Sequence, residues 1–191
     1  PSGINVQHYA GTQTSGSPVI LNEATKWTYT WTGLDEKKNG TTISYTVKEV
    51  DTAEGYEASV SGDALTGYTI TNTLKSGTLE VVKSITGDIS DSTLTAEQKE
   101  AMTFTVTGPD GYSETVHYSD FVNGKYTFQN LPLGEYTVTE KNADMESYKL
   151  TTTYSVDGRK VTVTNKETAS ITITNDYTKI LVKISKVDAT N

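Results

Sequence analysis

Apolar and polar residues alternate along this chain in short runs of Val, Ile, Thr and Tyr, broken by Gly, Asn and Asp, and helical periodicity is nearly absent. The pattern predicts an all-β chain. In "YTVTE", Tyr136, Val138 and Glu140 share one strand face and Thr137 and Thr139 the other, so a carboxyl group lies in register with the apolar side. "YTVKE" puts Glu49 in the same place. The helical exception is "STLTAEQKEAM", where Thr95 and Gln98 have capping-box spacing and predict a short helix from Ala96 to Ala101. Turns are signalled by "GPDG" (108–111), "VNG" (122–124) and "VDGRK" (156–160), the last with the Asp-Gly pair favoured in tight hairpins.

The phrases repeat in order. "WTYTWTGLDEKKNGTTISYTVKE" (27–49) matches "GKYTFQNLPLGEYTVTE" (124–140), pairing Tyr29 with Tyr126, Trp31 with Phe128, Leu34 with Leu131 and Glu49 with Glu140. Each copy later reaches a strand ending in Asn, "YTITN" at Asn72 and "ITITN" at Asn175. Eleven residues beyond each Asn stands a lysine on an apolar face: Leu79, Val81 and Lys83 in one copy, Val182, Ile184 and Lys186 in the other. The chain reads as an array cut out of phase. Residues 1–73 would be a domain lacking its first strand, 74–177 a complete domain, and 178–191 the first strand of a following domain. Short strands at this spacing suit tandem immunoglobulin-like β-sandwich domains, although the Cys and Trp landmarks of a true immunoglobulin domain are missing.

Composition narrows the function. A formal charge of -8 without a Lys/Arg cluster argues against a nucleic-acid partner. No stretch approaches the roughly 20 apolar residues of a membrane helix, which argues against a membrane partner. With no cysteine and two distant histidines, His8 and His117, neither a disulfide nor a metal motif is visible, and the histidines read as ordinary surface residues. No cofactor motif, phosphate-binding loop or nucleophile elbow appears, so no multiple-turnover enzyme is expected. Trp27, Tyr29 and Trp31 share a face and read as an aromatic core ladder, with a sugar-stacking platform as the alternative.

Three inward polar residues remain. Burying Lys, Glu and Asn in a small core costs several kcal/mol per uncompensated charge, so they should meet. One reaction removes the charge: the neutral amine of Lys83 attacks the carboxamide carbon of Asn175, ammonia leaves, and an amide joins two strands. Desolvation favours the neutral amine and the neutral carboxyl group that this requires, and Glu140 would polarise the carboxamide and relay protons. The bland alternatives are a solvated Glu, a turn-capping Asn and a snorkelling Lys.

"YTVKEVDTAEGY" and "GEYTVTEKNA" resemble the glutamate box of Gram-positive pilins and surface adhesins; "YTITNT" and "ITNDY" resemble the closing strand, and "KISKVDAT" the opening lysine strand, of collagen-adhesin B-type (Cna B-type) domains. The resemblance implies an autocatalytic isopeptide bond in domains stacked as stalks or pilus shafts on the cell wall, facing the extracellular space. Carried over by position, Lys83 is the nucleophile, Asn175 the electrophile and Glu140 the acid/base. In the first domain Glu49 and Asn72 are present and the lysine strand falls before residue 1; Lys186 opens the next domain. The expected function is a structural stalk module of an adhesin or pilin, with a ligand-binding adhesin domain or an accessory module of a polysaccharide-acting enzyme as alternatives. Expected partners are neighbouring domains of the array and a host extracellular-matrix or cell-surface ligand. The ends allow two readings: a fragment of a longer array, or head-to-tail self-association in which Lys186 of one molecule reaches Asn72 of the next.

Overall fold

The structure, a computed structural model, describes residues 2–186. They fall into two compact units, Pro1–Lys75 and Ser76–Asn191. Both are built mainly from antiparallel strands with hydrophobic inner faces, the all-β class that the alternation predicts.

The first unit contains β1 (Gly3–Ala10), β2 (Gln13–Thr14), β3 (Val19–Asn22), β4 (Lys37–Lys38), β5 (Thr41–Thr42), β6 (Tyr45–Val50), β7 (Tyr56–Asp63) and β8 (Gly67–Leu74). β1 pairs with β2, β3 and β6. β7 and β8 form a long hairpin of their own, and β4 and β5 a short one. Val6 and Val47 supply the buried apolar side chains of this small core.

Two expectations fail here. His8 is buried, not superficial: it shares the inward face of β1 with Val6, its ring lies 5.0 Å from that of Trp31 and 5.2 Å from that of Tyr45, and its Nδ1 is 3.0 Å from the Ser15 carbonyl oxygen. Alternation forces this, because a residue two positions from a buried valine faces the same way. The aromatic ladder is not a ladder either. Residues 27–34 form no strand, and Trp27 and Tyr29 are about half exposed. Their counterparts Tyr126 and Phe128 are ordered by pairing with a lysine-bearing strand, and residues 27–34 have no such neighbour among the described residues.

The second unit runs β9 (Gly77–Gly87), α1 (Ala96–Ala101), β10 (Thr103–Thr107), β11 (Ser113–His117), β12 (Lys125–Leu131), β13 (Gly134–Lys141), β14 (Tyr148–Tyr154), β15 (Lys160–Val163) and β16 (Thr168–Lys179). It is a sandwich of two four-stranded sheets, ordered β11-β10-β13-β15 and β12-β9-β16-β14. The central pair of the second sheet, β9 and β16, is parallel, which places the first and last strands side by side. Leu79, Val81, Phe104, Val106, Tyr136, Val138, Ile171 and Ile173 fill the space between the sheets without solvent exposure. The helix starts as its sequence predicts: Thr95 Oγ1 accepts from the Gln98 amide at 3.2 Å, and Gln98 Oε1 from the Thr95 amide at 2.8 Å.

The turns divide differently. "VNG" closes tightly, with Asn123 and Gly124 both at positive φ and Val122 and Lys125 exchanging backbone hydrogen bonds of 2.9 and 3.1 Å. "VDGRK" makes no hairpin. It carries the chain from β14 in one sheet to β15 in the other through a 3-10 turn, so its flanking strands never pair. Residues 181–186 form no strand, although their alternation predicts one. Val182 and Ile184 are 85% and 90% exposed, and a strand forms only where a neighbour accepts its backbone groups.

Gly108 provides a test of the packing. A Cβ there would enter the ring of buried Tyr136, while the glycine's own backbone is extended and unstrained. Gly108→Ala is therefore expected to lower the stability of the second unit by about 1–3 kcal/mol through overpacking alone. Denaturant unfolding checks this, and an unchanged midpoint would refute the packing.

Candidate crosslinking site

Lys83 stands in the middle of β9, on the face that holds Leu79 and Val81, so the strand register alone drives its side chain into the core. Its side chain is 0% exposed. Glu140, at the end of β13 in the opposite sheet, reaches across: its Oε1 lies 3.0 Å from Lys83 Nζ, and its side chain is 3% exposed. Asn175 comes from β16, fully buried, and its Nδ2 donates to the same Glu140 Oε1 at 3.1 Å. One carboxyl oxygen thus touches both the amine and the carboxamide. The β9–β16 register sets Lys83 opposite Ile173, two residues short of Asn175, and the lysine Nζ also donates to the Ile173 carbonyl at 3.4 Å.

Burial pushes the Lys83 ammonium down from 10.5 to about 8, against the opposing effect of the charged and hydrogen-bonding Glu140. An amine titrating near 8 is neutral in about one molecule in ten at pH 7, against about one in three thousand at 10.5. Two acceptor atoms of the site, Glu140 Oε2 and Asn175 Oδ1, are buried without a hydrogen-bond partner. A proton on the carboxyl group would turn one orphan acceptor into a donor. The arrangement therefore brings together an amine whose neutral form is favoured by burial, an amide and a shared carboxyl group in a buried pocket.

Tyr177 is a neighbour that the alternation did not single out. Its buried hydroxyl donates to the Ala143 carbonyl at 2.6 Å and accepts from Asn175 Nδ2 at 3.4 Å, and burial pushes its titration upward. The signal was its parity, two residues beyond Asn175 on the same face. The corresponding position in the first unit is Leu74, which is exposed.

The other candidates are placed separately. Glu49 in β6 sits opposite Val6 of β1, and Asn72 in β8 opposite Ala58 of β7. Each has one buried oxygen without a partner, Glu49 Oε2 and Asn72 Oδ1. Lys186 lies in the exposed stretch after β16.

Comparison with known proteins gives this geometry its context. Residues 1–73 match the Cna protein B-type domain, and residues 79–178 match a domain of unknown function, DUF5979. Residues 1–73 belong to the Cna protein B-type family. A collagen adhesin of Staphylococcus aureus is 30% identical to this chain over 186 residues, which takes in 93% of the chain and 15% of the relative. The chain thus spans a small part of that relative's length. Among solved structures, two B repeat units of the collagen binding protein of Staphylococcus aureus are 28% identical, with a TM-score of 0.38, covering 94% of this chain and 44% of that one. A bacterial adhesin from Mobiluncus mulieris containing intramolecular disulfide, isopeptide and ester bond cross-links is 16% identical, with a TM-score of 0.43, covering 92% of this chain and 84% of that one.

The perturbed lysine is testable in an Asn175→Ala chain, which has no electrophile at this position. There Lys83 should titrate near 8, and Glu140→Gln should move it lower still, because the glutamate favours the charged amine. The folded value lies below the unfolded one, so the unfolded chain holds more protons between about 8 and 10.5. Stability then rises with pH across that window, and the penalty is fully present below it. A lysine signal titrating near 10.5 by NMR, with equal stability at about pH 7 and about pH 10, would refute the buried assignment.

Proposed function

We propose that this chain is a structural stalk module of a cell-surface adhesin or pilin, and that its second unit is locked by an amide bond between Lys83 and Asn175. The observation that carries the proposal is the single buried oxygen of Glu140 within 3.1 Å of both the lysine amine and the asparagine carboxamide.

The bond forms when the neutral Lys83 amine adds to Cγ of Asn175. Glu140 takes a proton from the attacking nitrogen and delivers one to Nδ2. The Cγ–Nδ2 bond breaks, ammonia departs, and Glu140 is returned to its starting state. Two features favour the step: desolvation frees the lysine lone pair, and the fold holds the partners at an effective molarity on the order of 10⁵ M or more. The amide is neutral, so the reaction removes the buried ammonium and its desolvation cost. No second substrate enters, and the site acts once.

The mechanical consequence follows from topology. β9 opens the second unit and β16 closes it, and the two run parallel. Tension entering at Gly77 and leaving at Lys179 would pass from Lys83 to Asn175 through the new bond, leaving residues 84–174 unloaded. That suits a module stacked in a surface array.

The folded chain should weigh one ammonia less than its sequence, with a Lys83–Asn175 branched peptide in its digest. Glu140→Ala should keep the full mass. By analogy with a disulfide closing a loop of about 90 residues, the bond should add about 4 kcal/mol of stability. Lys83→Ala should unfold at lower temperature and at lower pulling force. An unmodified parent mass would reject the proposal, and equal unfolding force would reject its mechanical role.

A further inference from the structure

The carboxamide of Asn175 has two orientations in its pocket, related by a half-turn that exchanges nitrogen and oxygen. The proposed reaction needs one of them. Glu140 must hand a proton to Nδ2, so the nitrogen has to face Glu140, as it does at 3.1 Å from Oε1. That contact alone does not select the orientation. A charged Glu140 accepts only from Nδ2, but a protonated one can equally donate to Oδ1, and its protonation changes as the reaction runs. The observed orientation also leaves Asn175 Oδ1 buried without a hydrogen-bond partner, which counts against it.

A second acceptor faces the same nitrogen. The Tyr177 hydroxyl, two residues along β16 on the same inner face, lies 3.4 Å from Nδ2 and 2.6 Å from the Ala143 carbonyl oxygen. A phenol has a single O–H and a carbonyl can only accept, so that proton is committed to Ala143. Towards Asn175 the hydroxyl therefore presents lone pairs alone. It attracts Nδ2 and repels Oδ1 whatever the state of Glu140, and burial raises its own titration, which keeps the proton in place. Neighbours fix the tyrosine at both ends. The Asp88 amide donates to the Tyr177 carbonyl at 2.7 Å, and Gly87, at φ +89°, leaves space that a Cβ would close against that same carbonyl oxygen. The loop presenting buried Ala143 is tied down by Asn142, whose Nδ2 donates to the Ala101 carbonyl at 3.2 Å.

We infer that Tyr177 is the positioning residue of the crosslinking site: its hydroxyl, occupied as a donor by Ala143, holds the Asn175 carboxamide with the nitrogen toward Glu140, where it can leave. The inference rests on the lysine–asparagine chemistry proposed above. One proton of the Lys83 amine passes by way of Glu140 to Nδ2, the Nζ–Cγ bond forms, the Cγ–Nδ2 bond breaks and ammonia departs. Tyr177 gains and loses nothing. With the carboxamide turned round, the same proton would go to Oδ1 and the nitrogen would stay bound. An electrophile with two like oxygens, such as a carboxylic acid, has no wrong orientation of this kind.

Mass measured at intervals during cell-free synthesis follows ammonia loss in the full chain and in Tyr177→Phe, which keeps the ring and removes the hydroxyl. The variant should react roughly 3- to 10-fold more slowly, the effect of one hydrogen bond. The same comparison in an Asn175→Asp chain, which would lose water instead, should show no slowing. Slowing of both pairs, or of neither, overturns the inference, since a purely structural tyrosine would act on both electrophiles alike. A second measurement uses the unreactive Lys83→Met chain with Tyr177 intact, where NMR should show a nuclear Overhauser contact between the Asn175 side-chain amide protons and the Tyr177 ring. Where Tyr177→Phe fails to fold or the Asn175→Asp pair fails to react, presence of that contact supports the inference and its absence overturns it. A parent chain that keeps its full mass defeats the amide-bond reading instead, and the NMR contact still decides whether Tyr177 sets the carboxamide.

Discussion

A cation in the middle of a core strand is the constraint on which the second unit turns. Desolvating an ammonium and a carboxylate costs several kcal/mol each, and replacing such a pair by apolar side chains is often neutral or stabilising. Lys83, Glu140 and Asn175 must therefore be held close enough to compensate one another, and the fold supplies this through two independent relations. The parallel β9–β16 pair sets Lys83 and Asn175 on the same inner face, and the sandwich brings Glu140 across from the opposite sheet. The site ties the two layers together at their common interior. The residual imperfections are informative. Two orphan acceptors and a lysine pushed down to about 8 describe a pocket whose ground state is under electrostatic stress. The proposed conversion to an amide would remove the ionisable amine, and with it the desolvation cost of the buried ammonium.

Much of this was legible because parity in a strand is a strict constraint. Tyr136, Val138 and Glu140 share a face by spacing alone, and the structure buries the first two completely. The capping box at Thr95 was equally readable, since it depends on contacts within one helical turn. What the sequence did not disclose were features fixed by partners far along the chain. His8 looks polar and superficial until Trp31 and Tyr45 are seen on either side of it. The Asp-Gly turn was misread because local turn chemistry does not say whether the next strand returns to the same sheet or crosses to the other. Tyr177 was visible by parity, yet its hydrogen bonds to Ala143 and Asn175 depend on a loop that the pattern could not place.

The two units show how little of a strand's behaviour is intrinsic. Tyr29 and Trp31 match Tyr126 and Phe128 in alternation and outclass them in aromatic area, yet the second pair lies in a strand and the first does not. β-Propensity measures fit to a pleated, half-buried surface, and that surface comes from the neighbour. β12 has β9 beside it; residues 27–34 have no strand beside them among the described residues. The same reasoning covers Val182 and Ile184, which alternate correctly and remain exposed.

The chemistry has one further property that follows from its geometry. Attack of an amine on a carboxamide needs the two groups, an acid/base and a dry pocket; it does not need the nucleophile's strand to be continuous with the rest of the domain. In the second unit the loops leaving β9 raise the local concentration of Lys83 but contribute no atom to the reacting centre.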